Sequence, residues 1–213
     1  MTVHCKESRY DVYIGRGKCP VTGEPGIWGN PFVIGQDGTR EEVVAKYSPW
    51  ILKQPEIIKN LYLLKGKTLG CWCNVSPCHG HVIEGLLTAP KFAVIGSRTF
   101  QDYQRLTKVI RNFSSIYWNP ISESYNGLEP VIISGGAGGA DRLAKLYAEE
   151  VKFRYIEFPA DWTKGKGAGF ERNHHIVNNA DIVFAFWDGE SSGTKHSLNL
   201  AKAQKKPTFI IYQ

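Results

Sequence analysis

The sequence predicts an α/β protein in which an open parallel sheet follows a smaller α+β domain. Three observations carry that prediction. From residue 91 onward, short runs rich in Val, Ile and Phe alternate with stretches of helical periodicity. Those apolar runs are nearly continuous rather than alternating, as expected for parallel strands covered by helices on both faces. The first 88 residues differ in texture and are dense in Gly, Pro and Trp, as in "GRGKCPVTGEPGIWGNPFVIG". "TAPK" near residue 90 reads as the linker, giving domains 1–88 and 91–213. The repeated β-α order of the second domain implies a Rossmann-like sheet.

Each element follows in order. In the first domain "TREEVVAKYSPWILKQ" reads as a helix, with Thr39 as its cap and Glu41 and Glu42 in the electropositive first turn. "PEIIKNLYLL" reads as a second helix, "KTLGCW" as a strand and "HGHVIEGLL" as a short helix. In the second domain the strands are "FAVIGS", "PVIISG", "RYIEFP", "DIVFAFW" and "PTFIIY". The helices between them are "DYQRLTKVIRNF", "GADRLAKLYAEEV", "GFERNHHIVNNA" and "GTKHSLNLAKAQ". "SSIYWNPISESYNGLEP" reads as a surface excursion between the first and second strands. No internal repeat or low-complexity tract interrupts the chain.

Composition narrows the function classes. A chain of 213 residues with 42% hydrophobic residues is globular rather than disordered. No apolar run approaches the roughly 20 residues that span a bilayer, and "MTVHCKESRYD" lacks the apolar core of a secretory signal. The expectation is a cytoplasmic protein with no membrane partner. Net charge is +6, from 26 Lys and Arg against 20 Asp and Glu, which favours anionic partners such as nucleotides or nucleic acid. The basic residues are scattered, without the stripe expected of a nucleic-acid groove.

Ligands of open α/β sheets sit at the carboxyl ends of the strands. There the sequence places Gly96, Ser97 and Arg98, then Ser134 through Asp141 in "SGGAGGAD", then Asp161 and Trp162 in "PADW", then "WDGESSGT" with Ser192, Gly193 and Thr194. Two Gly-rich helix starts on one edge offer free N–H groups and positive dipole ends, which suit phosphate. Gly135, Gly136, Gly138 and Gly139 are expected to wrap it, with Arg98 and Arg172 as charged donors and Asn173 beside them. The competing reading is that the glycines serve tight turns and packing.

At these residues the chain resembles a known family. "AVIGSR", "VIISGGAGGADRLA", "FPADW", "GFERNHHIVNNAD" and "FWDGESSGTKHSL" are similar to the YspA-type branch of the SLOG superfamily, over Lys91 to Gln213. The resemblance implies a Rossmann-like domain that binds a nucleotide or a nucleotide-derived ligand. The related LOG enzymes cleave the N-glycosidic bond of nucleoside monophosphates with a "PGGxGTxxE" loop and an upstream Arg. Here Ser192-Gly193-Thr194 matches that loop in part and Arg172 occupies the place of the Arg, while "TKHSL" puts Lys195 and His196 where the acid should follow. Asp141, Glu171 and Asp188 are the candidate replacements, and the catalytic set that the resemblance implies is Arg172 with Asp141 and Asp188. The resemblance to DprA, another relative, implies a second role in single-stranded nucleic-acid binding or DNA processing. In the first domain "YIGRG", "WGNPFVIGQDGTREEVVAKYSPWI" and "LKGKTLGCWCNVSPCHGHVI" resemble a small domain of unknown function found in phages and bacteria, which implies no known activity.

All five cysteines lie in the first 80 residues, and "CWCNVSPCHGH" gathers Cys71, Cys73, Cys78, His79 and His81. Thiolate and imidazole suit zinc, but structural zinc normally uses two separated knuckles and here there is one cluster. Two other readings stand beside zinc: small buried cysteines with surface histidines, and a polar site without metal. No cofactor is assigned. Arg16, Cys73, Cys78 and His79 are expected in a second pocket or in a site completed by the second domain. Catalysis housed in the first domain, with the second delivering a nucleotide, and a homo-oligomer are both compatible with the sequence.

Overall fold

The computed structural model describes residues 1–73, 76–115 and 129–213. The expected excursion after Ser115 lies outside them up to residue 128. The chain divides into two compact units, Met1–Thr88 and Ala89–Gln213. No helix among the described residues is long and apolar enough to cross a membrane.

The first unit is built on a three-stranded sheet. Strands β1 (Thr2–His4) and β2 (Val12–Tyr13) flank β3 (Leu69–Cys71), and both pair with it in parallel. Only β3 was legible beforehand. Helix α1 (Arg40–Ile51) starts at a capping box: the Glu42 amide donates to the Thr39 hydroxyl at 3.3 Å, and the Thr39 amide donates to the Glu42 carboxylate at 2.8 Å. It buries Val43, Tyr47 and Ile51, four residues apart on one face. "PEIIKNLYLL" is not one helix. A single turn, α2 (Pro55–Ile58), gives way to a 3-10 turn at Leu61–Leu64. The buried residues there, Ile58, Leu61 and Leu64, are spaced by three, which fits the tighter winding. Helix α3 (His79–Thr88) closes the unit.

The second unit is a five-stranded parallel sheet of order β6-β5-β4-β7-β8. Its strands are β4 (Lys91–Gly96), β5 (Val131–Ser134), β6 (Arg154–Glu157), β7 (Ile182–Trp187) and β8 (Thr208–Tyr212). The helices are α4 (Tyr103–Phe113), α5 (Ala140–Glu150), α6 (Ala168–Asn179) and α7 (Ser192–Ala203). Phe92, Ile132, Phe184 and Phe186 from the central strands pack with Leu106, Ile110, Leu143 and Tyr147 of α4 and α5. The expected two-sided burial holds for β4, β5 and β7 and fails at the edge strand β8, where Phe209, Ile210 and Tyr212 are exposed. After β4 the chain moves outward through β5 and β6, then returns to add β7 on the other side of β4. The strand order therefore reverses between β4 and β7, and the loops leaving those two strands diverge there.

Candidate functional site

A cleft of about 550 Å³ opens at that reversal point. Its walls are the loop after β4 (Gly96, Arg98, Thr99), the loop after β7 with the start of α7 (Asp188, Ser191 to Thr194), and α6 with the segment before it (Trp162, Lys166, Phe170, Arg172, Asn173). Ala137 and Asp141 contribute from the loop after β5 and from α5. The size suits a small-molecule ligand.

The loop after β7 is held open at the start of α7 by a carboxylate. Asp188 accepts from the amides of Glu190 (3.0 Å) and Ser191 (2.8 Å) and from the Ser191 hydroxyl at 2.6 Å. These bonds, Ser191 first, hold its carboxyl well below the usual carboxylate range. Ser97 ties the two strand ends together. It accepts from the Asp188 amide at 3.0 Å and sits 2.7 Å from the Ser191 hydroxyl. Helix α7 thus begins in the cleft, and among the described residues the amides of Ser192, Gly193 and Thr194 have no intramolecular acceptor. They are the positive end of a 12-residue helix.

Arg172 lies in the floor, 14% exposed. Its guanidinium donates to the Gly135 carbonyl at 2.6 Å and to Asn173 Oδ1 at 3.1 Å, and it lies 3.6 Å from Asp141. Asn173 in turn donates to the Gly193 carbonyl at 3.0 Å. Arg172 is therefore a brace joining the loop after β5 to α6 through Nε and Nη1, and the expectation that it holds a phosphate is met by a side chain already engaged at those two nitrogens. Asp141 is 4% exposed. Burial pushes its carboxyl up, against the opposing pull of Arg172 and the Ala137 amide, which donates to it at 3.2 Å. Asp188 is spent on the turn, so Asp141 is the buried carboxyl in the cleft wall.

The glycines after β5 do not line the cleft as a phosphate wrap would. Gly135 is closed by the Arg172 side chain, and Gly136, at φ +68, by Glu157. Gly139, at φ +67, lies so close to the Ser97 and Arg98 backbone that a Cβ there would fall 2.2 Å from the Ser97 carbonyl oxygen. Ser134 is buried and donates to the Val94 carbonyl at 2.7 Å. Gly139 serves close packing between the loops after β4 and β5, and Ala137 is the residue of that loop that reaches the cleft. Asp161 caps the 3-10 turn Trp162–Lys164 through the Thr163 amide and stands outside the lining, while Trp162 is in it and 60% exposed. Sequence reasoning missed Lys166 and Phe170. "TKGKGAG" offers only turn residues as a signal, and Phe170 reads as core on a helical period. Arg98 and Lys166 make no ion pair among the described residues, which leaves two cations at the cleft. Glu171 pairs with Lys164 at 3.0 Å, away from this role. His196 packs between Phe170 and His174, where burial and then His174 lower its pKa.

The first unit holds a cavity of its own, about 210 Å³, lined by Arg16, Asn30, Arg40, Cys71, Cys73 and His79 among others. Arg16 donates to the Phe32 carbonyl at 3.4 Å. Cys71, Cys73, Cys78 and His79 converge beside it.

Three sets of comparisons bear on this geometry. Residues 2–89 match the family described as a domain of unknown function, DUF4326, and residues 90–165 match the YspA, cpYpsA-related SLOG family. The second match ends before α6, β7 and α7. Uncharacterized protein R718 of Acanthamoeba polyphaga mimivirus is 38% identical over 84 residues, 34% of this chain and 63% of that protein. An uncharacterized 12.4 kDa protein from the nrdA-td intergenic region of Enterobacteria phage T4 is 37% identical over 86 residues, 38% of this chain and 70% of that protein. Gene 61 protein of Mycobacterium phage D29 is 36% identical over 88 residues, 38% of this chain and 69% of that protein. Among solved structures, DNA processing protein A of Streptococcus pneumoniae aligns at a TM-score of 0.48 and 20% identity, over 62% of this chain and 53% of that one. The Helicobacter pylori protein, described for its single-stranded DNA binding mode, aligns at 0.44 and 25%, over 61% and 68%. The first unit thus matches the DUF4326 family over residues 2–89, and the second matches the YspA, cpYpsA-related SLOG family over residues 90–165.

Proposed function

We propose that the second unit binds a nucleotide or nucleotide-derived small molecule in the cleft between β4 and β7, with the phosphate at the start of α7. The observation that carries this reading is the set of open amides at Ser192–Thr194, facing a cleft that also holds Arg98 and Lys166. Free amides, a helix dipole and two cations are the ingredients of an anion site. Trp162 and Phe170 offer faces on which a base can stack. The match of residues 90–165 to the SLOG family supports the same class of ligand. Calorimetry of the full chain with mono-, di- and trinucleotides tests it. Lys166→Ala and Arg98→Ala should each weaken binding about tenfold, which is about 1.4 kcal/mol. Heat that appears only with labelled single strands, falls steeply with salt and is not competed by nucleotides would contradict this reading and favour nucleic acid.

A second reading rests on Asp141. A buried carboxyl in the cleft wall can stabilise the cationic sugar formed when an N-glycosidic bond breaks, provided it is ionised, and Arg172 favours that form. Incubation with a panel of nucleoside monophosphates should then release free base, and Asp141→Asn should stop it. Nucleotide binding without base release would assign the cleft to sensing.

A further inference from the structure

The first unit carries a cluster that neither family match explains. The ligand atoms of Cys71, Cys73, Cys78 and His79 lie within 4.8 Å of one another. Cys71 comes from the end of β3, Cys73 from the chain just beyond it, and Cys78 and His79 from the start of α3. Cys71, Cys78 and His79 are buried and Cys73 is half-buried. The Cys71 and Cys78 sulfurs are 3.5 Å apart, and each lies 3.8 Å from His79 Nδ1. A tetrahedron with zinc–sulfur bonds of about 2.3 Å has edges of about 3.8 Å. The Cys71 and Cys78 sulfurs and His79 Nδ1 are therefore spaced as three corners of a zinc tetrahedron, and the Cys73 sulfur lies within 4.8 Å of each. They are too far apart for a sulfur–sulfur bond, which needs about 2.05 Å.

The surroundings fix how these groups present themselves. His79 Nε2 lies 2.8 Å from the Ile14 carbonyl oxygen. A carbonyl only accepts, so Nε2 carries the proton and Nδ1 turns its lone pair toward the sulfurs. A backbone carbonyl behind the distal nitrogen is the usual support of a metal-bound histidine. The sulfurs also accept backbone amides: Gly80 donates to Cys78 at 3.3 Å and Cys73 to Cys71 at 3.4 Å. Three thiolates, a neutral imidazole and a divalent ion sum to one negative charge. The Arg40 guanidinium, 3.7 Å from the Cys73 sulfur, answers that charge. Structural zinc sites commonly draw their ligands from two knuckles separated in sequence. Here a strand end and the next helix start supply all four ligands within nine residues, Cys71 to His79.

We propose that Cys71, Cys73, Cys78 and His79 form a structural zinc site that ties the end of β3 to the start of α3. All four corners come from protein, so no position is left open for a substrate and the metal's role is to hold the fold. Cys5 and Cys19 lie in a separate cluster with Tyr10 and Tyr13 and take no part.

The test uses the full chain purified under reducing conditions without chelator, with metal content measured by mass spectrometry. About one zinc per chain is expected. Cobalt substitution should give thiolate-to-cobalt charge-transfer bands with the intensity of three sulfurs, together with tetrahedral ligand-field bands. Cys73→Ser, which alters the least buried ligand, should weaken zinc binding at least about 100-fold, whereas Cys19→Ser should leave it unchanged. The cobalt spectrum of the unaltered chain counts the thiolates even where a variant fails to fold. A reduced chain that takes up neither zinc nor cobalt overturns the proposal. So does metal content that survives both Cys73→Ser and Cys78→Ser, or a Cys71–Cys78 disulfide with no metal uptake after reduction.

Discussion

Arg172 and Asp141 set the local electrostatics of the cleft. Both are nearly buried, 3.6 Å apart, and each has further partners in the backbone. Removing one member of such a pair leaves an uncompensated charge, which costs about 3 kcal/mol or more. Arg172→Ala should therefore destabilise the second unit by about that amount in urea unfolding at neutral pH. The pH dependence has a definite sign. The Asp141 carboxyl is pushed above its ordinary value of 3.8, chiefly by burial, and Arg172 opposes the shift. Loss of Arg172 pushes it higher. The folded state then holds the proton more tightly than the unfolded state, so stability is fully present below about pH 4 and is lost as pH rises through the folded pKa. The variant's deficit against the wild-type chain should shrink on acidification, and a deficit independent of pH between 4 and 8 would contradict the buried-pair account. The pairing itself was not legible in the sequence. Arg172 read as a phosphate ligand because its place in the motif is visible, whereas its engagement by Gly135, 37 residues away, depends on the fold.

At the scale of elements, the loops after β5 and β7 look alike in sequence and do different work. The loop after β7 leaves the first amides of α7 open at the cleft; the loop after β5 closes Gly135, Gly136 and Gly139 against neighbours. Gly139→Ala forces a side chain into a positive φ and against the Ser97 carbonyl, so it should cost about 2–3 kcal/mol. Gly138→Ala meets nothing closer than the Arg98 carbonyl oxygen at 4.0 Å and should be nearly neutral. Equal unfolding midpoints for the two variants would contradict this assignment. The strands and helices of the second unit were legible because each buries a periodic apolar face. β1 and β2 were not, because they are three and two residues long and exist only by pairing with β3, more than 50 residues later. The break in "PEIIKNLYLL" was hidden for a related reason, since a spacing of three suits a helix until the buried face is seen.

At the scale of the molecule, a chain of net charge +6 carries two compact units, each with its own concentration of polar chemistry. The sequence located both places, the strand ends of the second unit and the Cys-His cluster of the first. It could not say which residues converge at the cleft, whereas Cys71, Cys73, Cys78 and His79, all within the motif it singled out, do come together. Lys166 enters the cleft through a turn with no motif. The central claim is that a nucleotide-class ligand sits at the start of α7, and hydrogen–deuterium exchange of the full chain with and without saturating nucleotide tests it most directly. The account predicts slowed exchange at the amides of 191–195, with a smaller effect over 162–173 and little change elsewhere in the second unit. Protection centred instead on the glycines of 135–139, or no change at 191–195 under conditions where calorimetry shows binding, would contradict it.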